Sequence, residues 1–260
     1  MMHFLRSLLF HILFVAATAY VLIFYGIASY FAPAMALKGF RTWAKLVIWG
    51  LKAFVNITIE IRGAEYLPKG GALVACKHQS TLETALLFAI FQNPSIILKR
   101  ELLYIPFANA MIKGAKHIAI NRRGHGQEKR RIVTHAMENI QNGHQIIIFP
   151  EGTRSSVTSS PSYKRGIFSI YTALKVPCLP VALNTGMFWG RRSFYLNPGN
   201  VIIELLPPIQ PGLKDDDFMT TLRTNIEAAS ARLIQEAAFE QSQLRRGTHP
   251  SQSKPKYPPK

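Results

Sequence analysis

Residues 72–83 read ALVACKHQSTLE. A short apolar run passes into the polar cluster Lys77-His78-Gln79-Ser80, and a helical pattern follows over 80–92. In open α/β sheets, ligands gather outside the carboxyl ends of strands, so an apolar run abutting a polar cluster is read as a strand that ends at a site. The same texture recurs from residue 55 onward. Strands are expected at 55–61, 72–77, 95–99, 117–121, 145–149, 178–184 and 201–206, and helices at 80–92, 101–114, 127–142, 166–175 and 215–240. This alternation predicts an α/β domain, a mostly parallel or mixed sheet flanked by helices. The helix over 127–142 should bury Ile132, Val133, Ala136, Met137 and Ile140 on one face. The last helix opens with Asp215, Asp216 and Asp217, which suit a positive helix N-terminus. Its Phe218, Leu222, Ile226, Ala229, Leu233 and Ala237 form an apolar stripe.

A chain of 260 residues is enough for one such domain with a full core. Hydrophobic residues make up 48% and the mean hydropathy is +0.09, which excludes a disordered chain. Lys and Arg total 31 against 14 Asp and Glu, a net charge of +17, so the surface should meet anions. Anionic lipid or a phosphorylated substrate fits this charge. Nucleic acid fits less well, since no aromatic-basic platform is visible. Cys76 and Cys178 lie in apolar runs and read as buried thiols in a reducing compartment. They rule out a disulfide-stapled scaffold and offer no zinc pattern.

Residues 8–32, LLFHILFVAATAYVLIFYGIASYFA, contain no Asp, Glu, Lys or Arg. At 1.5 Å per residue the run can reach across roughly 30 Å of hydrocarbon. Pro33 should end this helix. A second helix, expected from about Gly39 to Phe54, places Arg41, Lys45 and Lys52 on one stripe. Trp43, Leu46, Val47, Trp49 and Phe54 lie on its other faces. That pattern suits a helix in the lipid interface. The N-terminal segment is therefore expected to be membrane-embedded, either crossing the bilayer or dipping in and returning, with Lys38, Arg41 and Lys45 on the cytoplasmic side. Three parts follow: a membrane-associated pair of helices over 1–55, a domain over 56–242, and a basic, Pro-rich, disordered tail over 243–260.

The chemistry-bearing residues cluster at strand ends. His78 and Glu83 would point about 140° apart within one helix, but they can meet if His78 lies in the turn and Glu83 in the first helical turn. A carboxylate on one ring nitrogen sets the tautomer and leaves the other nitrogen free to take a proton. Ser80-Thr81-Leu82-Glu83 also reads as a capping box, with Ser80 as N-cap and Glu83 reaching back to its amide. Both readings stay open. Cys76 on the same strand face as His78 is a weak candidate nucleophile, and no third ligand is spaced for a metal. Phe149-Pro150-Glu151-Gly152-Thr153-Arg154 follows the strand at 145–149: Gly152 allows a tight turn and Arg154 can hold phosphate bidentately. Asn121-Arg122-Arg123 and Lys99-Arg100 end two further strands. If these strands are parallel, their ends converge into an anion-binding cleft beside a histidine base.

These clusters, in this order, resemble the glycerolipid acyltransferases, most closely the bacterial 1-acyl-sn-glycerol-3-phosphate acyltransferases. The likeness covers about residues 60–185. That family carries a His-x4-Asp motif, a strand ending in Arg, Phe-Pro-Glu-Gly-Thr-Arg, and Val-Pro-x-x-Pro-Val. Here these are His78 to Glu83, Ile118 to Arg122, Phe149 to Arg154, and Val176-Pro177-Cys178-Leu179-Pro180-Val181. Glu83 stands where the family usually has Asp. The resemblance implies that His78 deprotonates the free hydroxyl of 1-acyl-sn-glycerol-3-phosphate (lysophosphatidic acid), which attacks an acyl thioester on coenzyme A or acyl carrier protein to make phosphatidic acid. Glu83 would hold His78. Lys99, Arg122 and Arg154 would meet the phosphate, and Glu151, Gly152 and Thr153 would shape the acceptor site, with Glu151 bonding the glycerol or an arginine. Pro177 and Pro180 would shape the wall. It implies no cofactor or metal beyond the acyl-CoA or acyl-ACP cosubstrate. The expected partners are membrane lipids rather than nucleic acid, and the expected place is the bacterial inner membrane with the domain facing the cytoplasm. The rival readings are the same chemistry on another lyso-lipid, such as a lyso-ornithine lipid, and a non-catalytic membrane-binding protein.

Overall fold

The computed structural model describes residues 1–121, 126–159 and 161–245. The sheet is assembled from β1 (Ile57–Arg62), β2 (Ala72–Cys76), β3 (Pro94–Lys99), β4 (Ile118–Ile120), β5 (Gln145–Ile148), β6 (Cys178–Leu183) and β7 (Gly199–Leu205). Its order is β1-β7-β6-β2-β5-β3-β4. Neighbours are parallel throughout except for the antiparallel pair β6–β7. The carboxyl ends of β2, β3, β4, β5 and β6 therefore share one edge.

Each residue of β2 is buried, and its faces alternate in the two-residue period of a strand. Val74 and Cys76 join the core beneath α2 (Ala34–Gly50) and α3 (Leu82–Ile90). Leu73 and Ala75 join the core beneath α5 (Gly126–Gln141), α6 (Gly166–Leu174) and α7 (Asp215–Arg245). Covering both faces is what lets a parallel strand be apolar along its whole length. Cys76 and Cys178 are free thiols with no exposure, and burial pushes both above the usual thiol range. The stripe on α7 is buried at Phe218, Leu222, Ile226, Leu233 and Ala237. Arg165 pairs with Asp215 and Asp216 at its start.

Several expectations need correction. The helix expected over 101–114 is a 3-10 turn over Arg100–Tyr104 followed by α4 (Ala108–Gly114). Pro106 disfavours helical backbone at Ile105, so the two pieces cannot join. Met137 on α5 is 42% exposed. Asn139, on the buried side of the helix with Ala136, donates to Ser95 Oγ and the Lys116 carbonyl. The second N-terminal helix starts earlier than Gly39, at Ala34, and its end is a π-helical turn over Leu51–Val55. Trp43 turns inward, donating to Thr18 Oγ1 at 3.0 Å, and Arg41 bonds the Gln92 carbonyl. Lys45, Lys52 and Trp49 remain exposed. α7 continues to Arg245; residues 246–260, on which most of the expected tail falls, lie outside the described residues.

α1 (Met2–Phe31) and α2 form an antiparallel hairpin around Pro33, with Gly39 against Tyr25 and Gly50 against Leu13. α1 is long and apolar enough to cross a membrane, yet one face is docked on the domain. Ser7 Oγ accepts the Leu196 amide, His11 meets the Phe194 carbonyl, Phe10 and Phe14 pack edge-on to Trp189, and Gly26 lies against Phe107. The opposite face exposes Ile12, Val15, Ile23, Phe24, Ile27 and Tyr30.

One buried histidine ties stability to pH. His117, packed against Phe40 and Phe88, accepts the Ile96 amide at Nδ1 (3.1 Å). Burial, with the neighbouring His144, lowers its pKa to about 3. The unfolded chain therefore takes up this proton near pH 6.5, whereas the folded chain resists it until about pH 3. Stability is complete above the unfolded value and falls with acidification at about 1.4 kcal/mol per pH unit across that window. Denaturant titrations of the parent and of His117→Asn should show this slope in the parent and a flatter one in the variant.

Candidate active site

At the end of β2 the chain turns out of the sheet, and α3 begins at Leu82. This turn brings His78 and Glu83 together: His78 Nδ1 lies 2.8 Å from Glu83 Oε1. The same oxygen accepts the amides of Gln79 at 2.8 Å and Ser80 at 2.7 Å. The other, Oε2, accepts the Thr185 hydroxyl at 2.8 Å. Glu83 is fully buried. Both sets of contacts occur at once at this residue. It satisfies amides at the helix start as a capping box does, and it grips the imidazole. The N-cap position itself is Thr81 rather than Ser80, whose hydroxyl accepts the Leu82 amide.

A carboxylate only accepts hydrogen bonds, so the proton between the two groups sits on Nδ1 and Nε2 is left with a free lone pair. The ring is stacked on Phe149, with centroids 4.0 Å apart and planes 19° from parallel. Its side chain retains 16% exposure. Ring stacking and the Nδ1 bond hold the orientation of the ring, so a group arriving at Nε2 would meet it without the ring first having to reorient. With Cys76 buried and its thiol pushed up, Cys76 is not the nucleophile.

The segment after β5 supports this arrangement from below. Gly152 adopts φ +73°, a left-handed turn that favours glycine. Glu151, expected at the acceptor and bonded to glycerol or an arginine, is buried. Its Oε1 accepts the His78 amide at 3.1 Å and lies 3.4 Å from Lys77 Nζ. Burial pushes its carboxyl above the usual range, against the pull of Lys77. The Ser155 amide donates to the His78 carbonyl at 2.8 Å, so the backbone of His78 is held on both sides by this segment. Lys77 also pairs with Glu227 on α7 at 2.6 Å, and Tyr163 donates to the same oxygen. Lys77, Thr185, Tyr163 and Glu227 are unassigned by the sequence reading. Thr185 carries the signal used elsewhere, a polar group just past a buried strand. Glu227 carries none, being 150 residues from its partner.

Of the residues expected to meet the phosphate, the described ones end or follow strands whose carboxyl ends share one edge. Lys99 ends β3 and is exposed, Thr153 is exposed, and Arg154 is half-buried. The Arg154 carbonyl accepts from Arg191, and among the described residues no carboxylate pairs with its guanidinium. Arg122 lies outside the described residues; it follows β4, whose carboxyl end is on the same edge. Pro180 lies within β6 itself. Among the described residues no group of three or more His, Cys, Asp and Glu side chains could hold a metal.

Comparison with known proteins agrees with this geometry. The acyltransferase family model matches residues 58–184. A 1-acyl-sn-glycerol-3-phosphate acyltransferase of Pseudomonas aeruginosa is 30% identical over 255 residues, which cover 96% of either chain. The chain belongs to the acyltransferase family. A Saccharomyces cerevisiae 1-acyl-sn-glycerol-3-phosphate acyltransferase is 29% identical over 72% of this acyltransferase and 64% of its own length. The crystal structure of the 1-acyl-sn-glycerophosphate (LPA) acyltransferase PlsC from Thermotoga maritima has the same fold. Its TM-score is 0.70 at 23% identity, over 88% of this chain and 97% of that one.

Glu83→Gln separates the two duties of this side chain. The Gln carbonyl can still accept the Gln79 and Ser80 amides, while the charge that balances an imidazolium is gone. Turnover should fall by about 10²–10⁴-fold, the contribution of a positioned general base, with the upper end matching the loss when a triad's Asp becomes Asn. The melting temperature should stay close to the parent's. Near-parent turnover would leave Glu83 with capping alone.

Proposed function

We propose that this acyltransferase moves a fatty acyl group from an acyl thioester, on coenzyme A or acyl carrier protein, to the sn-2 hydroxyl of 1-acyl-sn-glycerol-3-phosphate. The product is phosphatidic acid, a precursor for phospholipids. The observation that carries this reading is the oriented His78 on an edge that also carries Lys99 and Arg154. In the reaction, Nε2 of His78 takes the hydroxyl proton as the oxygen attacks the thioester carbonyl. The tetrahedral intermediate collapses with departure of the thiolate, and the His78 proton goes to the leaving sulfur. No covalent acyl-enzyme is required, and no resident cofactor enters the steps. Lys99, Arg122 and Arg154 meet the phosphate, and the names carried by the relatives support that acceptor.

The lipid product and acceptor fit the helical hairpin. α1 is held to the domain at Ser7, His11, Phe14 and Gly26, so we place it side-on in one leaflet rather than across the bilayer. The membrane is the bacterial inner membrane, with the domain on the cytoplasmic side where the thioesters are made.

Arg154→Lys tests the acceptor. It keeps the charge but loses the planar fork. Use of lysophosphatidate should fall about tenfold or more, and use of a lyso-lipid lacking the terminal phosphate should fall much less, since charge-assisted bidentate pairs are the strong ones. An equal loss on both acceptors would remove Arg154 from phosphate recognition. A parent preference for a lyso-ornithine lipid over lysophosphatidate would favour that acceptor instead.

A further inference from the structure

Two loops leave the site edge of the sheet and run to opposite ends of α1. The first follows β3: after Lys99 and Arg100 it exposes Leu102 (39%), Tyr104 (75%), Ile105 (41%) and Phe107 (38%). The second follows β6 and the 3-10 turn Thr185–Met187, and exposes Phe194 (38%) and Tyr195 (52%) beside the exposed Arg191 and Arg192. Each loop is clamped to α1. Phe107 lies against Gly26, flanked on that helix by the exposed Ile23, Ile27 and Tyr30. Tyr195 stacks on His3, and Phe194 packs on Phe4 and His11. The apolar face of α1 is thus continued at both ends by aromatic and aliphatic side chains next to cations. Large exposed apolar surface of this kind marks an interaction site, and aromatic residues beside Arg and Lys suit the headgroup level of an anionic bilayer.

We propose that loops 102–107 and 191–195 are membrane-inserting elements that extend the footprint of α1. They fix the tilt of the domain so that the sheet edge carrying His78 faces the lipid surface. The partner is an anionic phospholipid bilayer, in keeping with the net charge of +17, with Lys99 and Arg100 just before the first loop and with Arg191 and Arg192 in the second. The proposal rests on α1 lying in the membrane, and its test separates the two. Each loop also touches the site: the first begins at Lys99, and Arg191 of the second donates to the Arg154 carbonyl. Insertion would therefore set the phosphate-binding cations at headgroup height.

Cys76 and Cys178 are both fully buried, so a cysteine introduced at the surface can be labelled selectively. An environment-sensitive fluorophore is placed singly at Tyr104→Cys, Tyr195→Cys, Ile27→Cys on α1, and Glu138→Cys on the exposed part of α5. The full chain is reconstituted in vesicles of phosphatidylethanolamine and phosphatidylglycerol. The labels at 104, 195 and 27 are expected to shift to the blue and to be quenched by bromine-bearing lipids, while that at 138 stays in water. Immersion at 27 with water at either 104 or 195 would overturn the loop proposal and leave the α1 reading intact. Water at 27 would overturn both. A blue shift at 104 or 195 that appears without lipid and grows with protein concentration would assign the loops to a second copy and also overturn the proposal. In a second measurement, the double variant Tyr104→Asp with Tyr195→Asp should lose about tenfold in turnover on bilayer-embedded acceptor and stay near parent on detergent-dispersed acceptor. Parent turnover on both would contradict the proposal.

Discussion

Replacing His78 with alanine should lower turnover by about 10²–10⁴-fold, the contribution of a positioned general base, with the fold and membrane attachment retained. The expectation rests on geometry. Glu83 and Phe149 hold the ring, and the free Nε2 lone pair follows from the carboxylate's inability to donate. Since His78 is partly exposed and the backbone bonds from Glu151 and Ser155 do not involve its ring, alanine leaves the turn in place. The check is the rate of acyl transfer by parent and variant reconstituted in the same vesicles, alongside their melting curves. A variant within about tenfold of the parent would contradict the role that the base is given.

The second large effect concerns stability. Lys77→Met should destabilise the domain by about 3–5 kcal/mol, because it leaves the buried Glu151 and the half-buried Glu227 without their cation. Lys77 is 2% exposed in its side chain and serves Glu227 at 2.6 Å and Glu151 at 3.4 Å. For a domain of this size that loss lowers the melting temperature by about 10 °C. The sign with pH follows from Glu151, whose carboxyl lies above its ordinary range in the folded state. Proton uptake by Glu151 therefore favours folding, and this contribution is complete at low pH and lost as pH rises through the folded value. The deficit of Lys77→Met should narrow on acidification towards that value and be widest at neutral pH. Adding Glu227→Gln should recover part of it, as expected when a charge left unpaired is also removed. Thermal melts of the single and double variants across pH provide the check. A deficit that does not change with pH, or no recovery in the double variant, would remove this charge network from the account.

Which features were legible follows from the range of the forces involved. Every strand was visible as a β-branched or apolar run between turn residues, most plainly the central β2, β5 and β6, because a strand buried on both faces has little choice of composition. The direction of β7 was not visible: the chain between Leu183 and Gly199 could return either way, and only the observed pairing makes it antiparallel to β6. The π-helical turn at Leu51–Val55 has no sequence signature of its own; it lets the chain leave α2 through Asn56, at φ 60°, into β1. At the site, the meeting of His78 and Glu83 could be read because the turn between them is local. The inward aim of Glu151 could not be, because its partner Lys77 belongs to a different strand end, and the anchor beyond Lys77 sits on α7. The inward turn of Trp43 was hidden for the same reason: a tryptophan on a basic helix suits lipid equally well until α1 is seen to cover it.

The central claim is direct acyl transfer from a thioester to lysophosphatidate at His78. The most direct measurement reconstitutes the full chain in vesicles, adds acyl-CoA or acyl-ACP, and follows free thiol and phosphatidic acid before and after lysophosphatidate is supplied. The account predicts no thiol release until the acceptor arrives, then one phosphatidic acid per thiol, with the rate lost in His78→Ala. A folded parent that makes no phosphatidic acid from either donor would contradict it, as would a stoichiometric burst of thiol before the acceptor is added.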